Sequence, residues 1–182
     1  MSWTVSHAEP DEAWILATLE IASWQASYAD HLDPTWLEEL DPTKLARRWR
    51  ERLFKARFDE DRVWLLKHDD QALGFCWTGD ASPDEQGFCA EVFMLYLHPE
   101  ITGKGLGTAL WEVVVEDLRG RGYPWLQVWV LADHAPARRF YERLGLRFEG
   151  STRTDTVGPV QVEVARYDMA LDTLIDFRVG EE

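Results

Sequence analysis

The chain has 182 residues, 46% hydrophobic and 29% charged, which is ordinary globular usage and excludes a disordered, collagen-like or coiled-coil chain. Nineteen basic residues against 33 acidic ones leave a net charge of −14, which excludes nucleic acid as a partner because phosphates must be met by Lys and Arg. No apolar run approaches the roughly 18 residues of a membrane-spanning helix.

Trp3 to Ser6 reads as a short first strand. Pro10, Asp11 and Glu12 suit the positive end of a helix that continues through Ala13, Leu16, Ala17, Ile21 and Trp24 at helical spacing. Asp33-Pro34 and Asp41-Pro42 each read as a break followed by a helix start. Lys44 to Arg57 is then helical, with Leu45, Trp49, Leu53 and Phe54 on one face and seven basic residues beside them, read as a solvated face. Strand signals follow at Val63–His68, Ala72–Thr78 and Phe88–Leu97, with turns at Asp69-Asp70-Gln71 and Gly79–Gly87. This meander would set Cys76 roughly opposite Cys89. A glycine-rich loop leads into a helix with Leu106, Leu110, Val113, Val114 and Leu118 in register, ended by Gly120 and Gly122. Trp125–Leu131 is a strand and Pro136–Leu144 a helix. Leu146–Thr154 and Val160–Leu171 form a last hairpin around Gly158-Pro159.

The expected fold is a single α/β domain over residues 1–182. The N-terminal helices occupy 1–60, the sheet and its glycine-rich loop 61–131, and the last helix and strands 132–182. The strand–helix–strand unit from Phe88 to Leu131 requires a parallel pair with a right-handed crossover inside an otherwise antiparallel sheet of about seven strands. Most of the ten tryptophans are expected in the core, with one or two in a pocket wall. The N-terminus has no basic start followed by an apolar block, so a secretory signal is not expected. Two cysteines, Cys76 and Cys89, make no disulfide framework, and a reducing, cytoplasmic setting follows. The histidines show no ligand spacing, so no metal is expected.

Gly103, Gly105 and Gly107 fall within five residues between a strand and a helix. Glycines there let backbone approach a ligand, and the unbonded N–H groups of the helix start point at an anion. The P-loop and dinucleotide patterns both fail at this place.

The context of the loop resembles the GNAT superfamily of acyl-CoA-dependent N-acetyltransferases. That family ends a strand in L-Y-V-x-P and opens a helix with [RQ]-x-x-G-x-[GA]. Here Leu95-Tyr96-Leu97-His98-Pro99 precedes Thr102-Gly103-Lys104-Gly105-Leu106-Gly107. A second family segment, N-x-x-A-x-x-F-Y-E-x-x-G-F, is matched by His134 to Leu146 in order and at the family's separation. Thr102 replaces the family's Arg or Gln, and His134 its Asn.

The resemblance implies transfer of an acetyl group from acetyl-CoA to a primary amine by direct attack. It implies a splayed strand pair, Phe88–Leu97 and Trp125–Leu131, with the pantetheine arm between them. Leu95, Tyr96 and Leu97 would then contact the arm, with the Leu95 N–H serving the developing oxyanion. Thr102, Gly103, Lys104, Gly105, Leu106, Gly107 and Thr108 would cradle the pyrophosphate. His134, Ala137, Arg138 and Tyr141 would complete the cofactor wall. His134 is alternatively a helix-start residue, and Arg138 and Arg139 alternatively exposed charges. Tyr141 is the implied acid for the leaving thiolate; the other reading is a core aromatic. Glu91 is the implied base, and otherwise an edge glutamate in an ion pair. In a regular strand Glu91 and Leu95 share a face. Trp24, Tyr28 and Trp129 are candidate acceptor contacts. A small-molecule or peptide amine is the expected partner, and a homodimer stays open. Two rivals remain: a non-catalytic acyl-CoA-binding module, and an acetyltransferase of protein N-termini or lysines.

Overall fold

The structure, a computed structural model, describes residues 3–29, 32–69, 71–82, 88–101 and 105–171. Thr102, Gly103 and Lys104 lie outside the described residues, as do Asp70 and most of the loop before Phe88.

The N-terminal part is one strand followed by helices. Strand β1 (Trp3–His7) leads through a 3-10 turn at Pro10–Glu12 into α1 (Ala13–Ser27). Helices α2 (Pro34–Glu38) and α3 (Pro42–Lys55) start where the Asp-Pro pairs predict. Asp33 Oδ1 accepts from the Thr35 amide at 2.8 Å, and Asp41 Oδ1 from the Thr43 amide at 2.8 Å, so each aspartate satisfies an otherwise unpaired helix N–H. Strands β2 (Arg62–His68), β3 (Gln71–Asp80) and β4 (Ala90–Leu97) form the meander. After α4 (Leu106–Gly120) come β5 (Trp125–Leu131), α5 (Ala135–Arg143), β6 (Arg147–Val157) and β7 (Val160–Ala170).

Among the described residues, seven strands make one mixed sheet in the order β1-β2-β3-β4-β5-β7-β6. Of these strands only β4 and β5 pair in parallel, and among the described residues their pairing covers Ala90, Glu91 and Val92 against Leu126, Gln127 and Val128. Beyond Val92 the two strands part. One apolar layer, including Leu110, Val114, Leu118 and Leu126, packs α4 and α5 on one sheet face. A second, including Leu16, Trp49, Leu53 and Phe75, packs α1 and α3 on the other. Among the described residues no helix is long and apolar enough to cross a membrane.

Four expectations change. Cys76 pairs with Leu95 rather than Cys89, because β3 and β4 pair only as far as Asp80 and Ala90, which leaves Cys89 outside the ladder. Both cysteines are buried and neither is in a disulfide, and Cys89 lies near Gln127 instead. Only Trp49, Trp64 and Trp111 of the ten tryptophans are buried; Trp3, Trp14 and Trp125 are exposed, and the rest are half-buried. Phe54 is exposed, since the buried stripe of α3 is carried by Trp49 and Leu53.

The fourth change bears on the site. Trp77 pairs with Met94 while Thr78 pairs with Val92, so Phe93 is an extra residue in β4. Such a bulge reverses the side-chain alternation beyond it. Ala90 and Val92 pack with the α4–α5 layer, and so do Leu95 and Leu97, whereas Met94 and Tyr96 pack with the α1–α3 layer. Glu91 and Leu95 therefore lie on opposite faces, not on one.

Candidate active site

The parting of β4 and β5 is the centre of the site. The His98 amide donates to the Leu73 carbonyl at 2.7 Å, across the β3 side. In an antiparallel ladder both groups of a bonded residue point to the same neighbour, and the next residue points away. With Phe75 opposite Tyr96 and Trp77 opposite Met94, the amides of Leu95 and Leu97 face the open side. Consistent with this, Ser23 Oγ on α1 lies 3.4 Å from the Leu97 carbonyl as a long hydrogen bond.

A small cavity of about 140 Å³ occupies the gap and is walled by Val92–Tyr96, Val128–Leu131, His134, Ala137 and Tyr141. It shares wall residues with two larger spaces. One, about 540 Å³, runs from Leu95–Leu97 past Gly105, Gly107 and Thr108 to Pro136, Ala137, Arg139, Tyr141 and Arg143. The other, about 470 Å³, lies beneath α1 and α2.

The first of these is built by two helix starts. Gly105 is the residue before α4 and has φ +79, a left-handed conformation that other residues rarely adopt. A Cβ there would meet nothing within 4 Å, so this backbone is open to the cleft. Gly107 differs: its Cβ would fall 2.7 Å from Leu97 Cδ1, so this glycine lets α4 pack against the end of β4. Leu106 packs on the core and Thr108 lines the cleft. His134 caps α5, its Nδ1 accepting from the Ala137 amide at 3.0 Å, while its ring lines both gap and cleft. Arg138 lies away from the cleft, since its Nε donates to the Tyr167 hydroxyl and its Nη1 to the Ala132 carbonyl, both at 2.7 Å. Its neighbour Arg139 lines the cleft in its place.

Tyr141 is buried and reaches both gap and cleft. Its ring packs edge-on against Trp111 and Phe140, and burial pushes its phenol well above the ordinary value of 10. It thus carries its proton throughout the neutral range. Glu91 sits in the other cavity, 8% exposed, and accepts from Gln127 Nε2 at 2.8 Å.

The α1-side cavity is strongly aromatic. Trp24, Tyr28, Trp36, Phe93, Tyr96 and Trp129 all line it, which brings the three candidate acceptor contacts together. Trp24 stacks on Trp36 at 5.9 Å between centroids. Trp24 Nε1 donates to the Tyr96 hydroxyl at 2.9 Å, and Tyr96 in turn bonds Tyr28. Burial raises the pKa of both phenols. Gly158, in the β6–β7 turn, lies so close to Trp36 that a Cβ would come within 2.4 Å of its ring, so this turn closes over the cavity.

Sequence reasoning missed Glu20 and Arg153, which line the cavity together with Trp36 and Asp155, two residues of the segments from which acceptor specificity is expected, Trp24 to Trp36 and the Thr154–Val160 turn. Glu20 is buried, accepts from Trp49 Nε1 at 2.7 Å, and has its carboxyl pKa raised by burial. Its signal was available: a carboxylate on the apolar stripe of α1, four residues before Trp24. Arg153 grips Asp155 at 2.9 Å and lies over the Trp129 ring at 4.0 Å.

A mixed sheet split at its parallel pair, with a helix start at one mouth, defines an acyl-CoA-type transferase fold. Residues 19–146 match the family model described as Acetyltransferase (GNAT) family, and the chain belongs to that family. It is similar to a mycothiol acetyltransferase of Acidothermus cellulolyticus, 34% identical over 78% of this chain and 42% of that protein. It is also similar to one of Streptomyces coelicolor, 30% identical over 75% of this chain and 39% of that protein. The chain therefore spans about two fifths of the length of these relatives. Among solved structures, the PaiA N-acetyltransferase of Thermoplasma acidophilum in complex with coenzyme A superposes with a TM-score of 0.69, at 20% identity, covering 91% of this chain and 98% of that one. The ribosomal-protein-S18-alanine N-acetyltransferase of Escherichia coli superposes at 0.64, 20% identical, covering 93% and 94%.

Proposed function

We propose that this protein moves an acetyl group from acetyl-CoA to a primary amine by direct attack in a ternary complex. The observation that carries this is three spaces that share walls: a cleft at two helix starts, a strand-lined gap, and an aromatic cavity holding a buried carboxylate. A long donor that reaches from the first into the second would present its acyl end to the third. Names of relatives and a coenzyme A complex of a structural neighbour support the same reading.

In this account the open amides of Leu95 and Leu97 pair with the pantetheine arm as a missing strand would. The Leu95 N–H meets the carbonyl oxygen as negative charge develops, a contribution worth about 3–4 kcal/mol where such a donor has been removed. The N–H groups at the start of α4, with Gly105 and Thr108, face the pyrophosphate, and Thr102, Gly103 and Lys104 belong to the same loop. Glu91 takes the ammonium proton, directly or through one water, so that the free amine attacks the carbonyl carbon. The carbon–sulfur bond breaks, and Tyr141 hydrogen-bonds the departing thiolate and supplies its proton. Gln127 holds the Glu91 carboxylate in place. The buried cysteines, neither of them in a disulfide, suit a reducing, cytoplasmic setting.

The test is amine-dependent release of free thiol from acetyl-CoA, with the acetylated amine measured in equal amount. Tight coenzyme A binding without turnover on any amine would replace the enzyme by a binding module.

A further inference from the structure

The cavity beneath α1 and α2 has a composition that selects among amines. Its walls carry three carboxylates, Glu20, Glu91 and Asp155, and two guanidiniums, Arg48 and Arg153. The balance is one negative charge, which complements one cation rather than several. The remaining wall is mostly ring surface. Trp24 and Trp36 present a stacked pair, and Trp129, with the Arg153 guanidinium 4.0 Å over its ring, lines the same cavity. Ring faces of this kind attract a planar apolar body by offset stacking and hold a nearby ammonium by cation–π attraction. The space of about 470 Å³ lies within the roughly 300–1,000 Å³ usual for small-molecule sites. The contact of Gly158 with Trp36 places the β6–β7 turn beside this aromatic wall.

We propose that the acceptor is a small monocationic primary amine on a flat aromatic body, an arylalkylamine, seated among Trp24, Trp36 and Trp129 with its ammonium toward Glu91. This rests on the acetyl-transfer reading and narrows it to one substrate class. Trp36 is then a specificity-determining residue: it touches the acceptor's body and none of the reacting atoms.

The experiment compares tryptamine and 2-phenylethylamine with n-hexylamine, spermidine, glucosamine and a short peptide with a free N-terminus. Each is assayed for acetylation by the wild-type protein and for calorimetric binding to the coenzyme A-loaded protein. The arylalkylamines should exceed the others in kcat/KM by at least about tenfold, the scale of a well-formed apolar pocket. Trp36→Ala should raise KM for tryptamine by about tenfold while leaving KM for acetyl-CoA unchanged. Trp36→Phe, which keeps a ring, should recover part of the loss and guards against a merely unstable variant. Faster acetylation of spermidine, glucosamine or the peptide would overturn the inference while leaving the acetyl-transfer reading intact. Tryptamine that binds but is not acetylated would support the cavity assignment and sink the reaction. Neither binding nor acetylation of arylalkylamines would overturn the inference outright.

Discussion

Replacing Glu91 by Gln separates basicity from shape. The carboxylate is 8% exposed and accepts from Gln127 Nε2 at 2.8 Å. A glutamine carbonyl oxygen accepts the same bond, so the substitution exchanges a charge-assisted hydrogen bond for a neutral one. That difference is about 1 kcal/mol, which for a chain of this size moves Tm by about 2–4 °C. The catalytic effect should be far larger. An alkylammonium with a pKa near 10.4 leaves about one amine in 2,500 free at pH 7. Losing a positioned base should lower kcat by about 10²–10⁴-fold. The free-amine fraction grows about tenfold per pH unit below that pKa. The variant should therefore recover about 100-fold between pH 7 and 9, and the wild type much less. The assay is single-turnover acetylation across that range, with coenzyme A affinity measured in parallel and expected unchanged. A variant whose pH–rate profile matches the wild type would show that Glu91 only holds Gln127, and the base would have to be sought on α1.

Gly105→Glu should abolish stabilisation by acetyl-CoA in a thermal melt, whereas Gly105→Asn, which tolerates the left-handed backbone at φ +79, should keep most of it; equal loss in both would assign the effect to backbone strain. Tyr141→Phe keeps the packing on Trp111 and should cut kcat by about 10²–10⁴-fold with coenzyme A binding nearly intact, a loss below threefold pointing to water as the acid. Glu20→Gln retains the Trp49 bond and removes a buried ionisation. Because burial raises the Glu20 pKa, wild-type stability is favoured while the group is protonated and falls as pH rises through that raised value. The gain in Tm of the variant over wild type should therefore be larger at pH 8 than at pH 4, and a pH-independent difference would mean that Arg52 and Arg48 already offset the burial.

Element order was legible because apolar spacing and Asp-Pro starts are local signals. Asp33 and Asp41 cap the helices that they were read to begin. The parallel pair followed from strand β4, helix α4 and strand β5 in succession, since two parallel strands need a crossover, whereas its splaying was implied only by the family resemblance. The bulge at Phe93 was not legible. Val92 to Leu97 is apolar or aromatic at every position, so either alternation fits the pattern. The consequence was a wrong face for Glu91 relative to Leu95. Arg138 and Arg139 were indistinguishable for a similar reason: adjacent helix residues point about 100° apart, and only the position of Tyr167 decides which is tied down. The closing of the Gly158 turn over Trp36 joins residues more than a hundred positions apart, and no local pattern carries it.

The central claim is that the open edge of β4 takes the arm of the acyl donor. Amide hydrogen exchange, read residue by residue with and without coenzyme A, tests it most directly. The amides of Met94, Tyr96 and His98 are directed at β3, and those of Leu95 and Leu97 at the gap. Coenzyme A should slow exchange at Leu95 and Leu97 by at least about tenfold, with much smaller changes at Met94, Tyr96 and His98. Uniform protection along β4, or protection confined to the cavity beneath α1 and α2, would contradict the account.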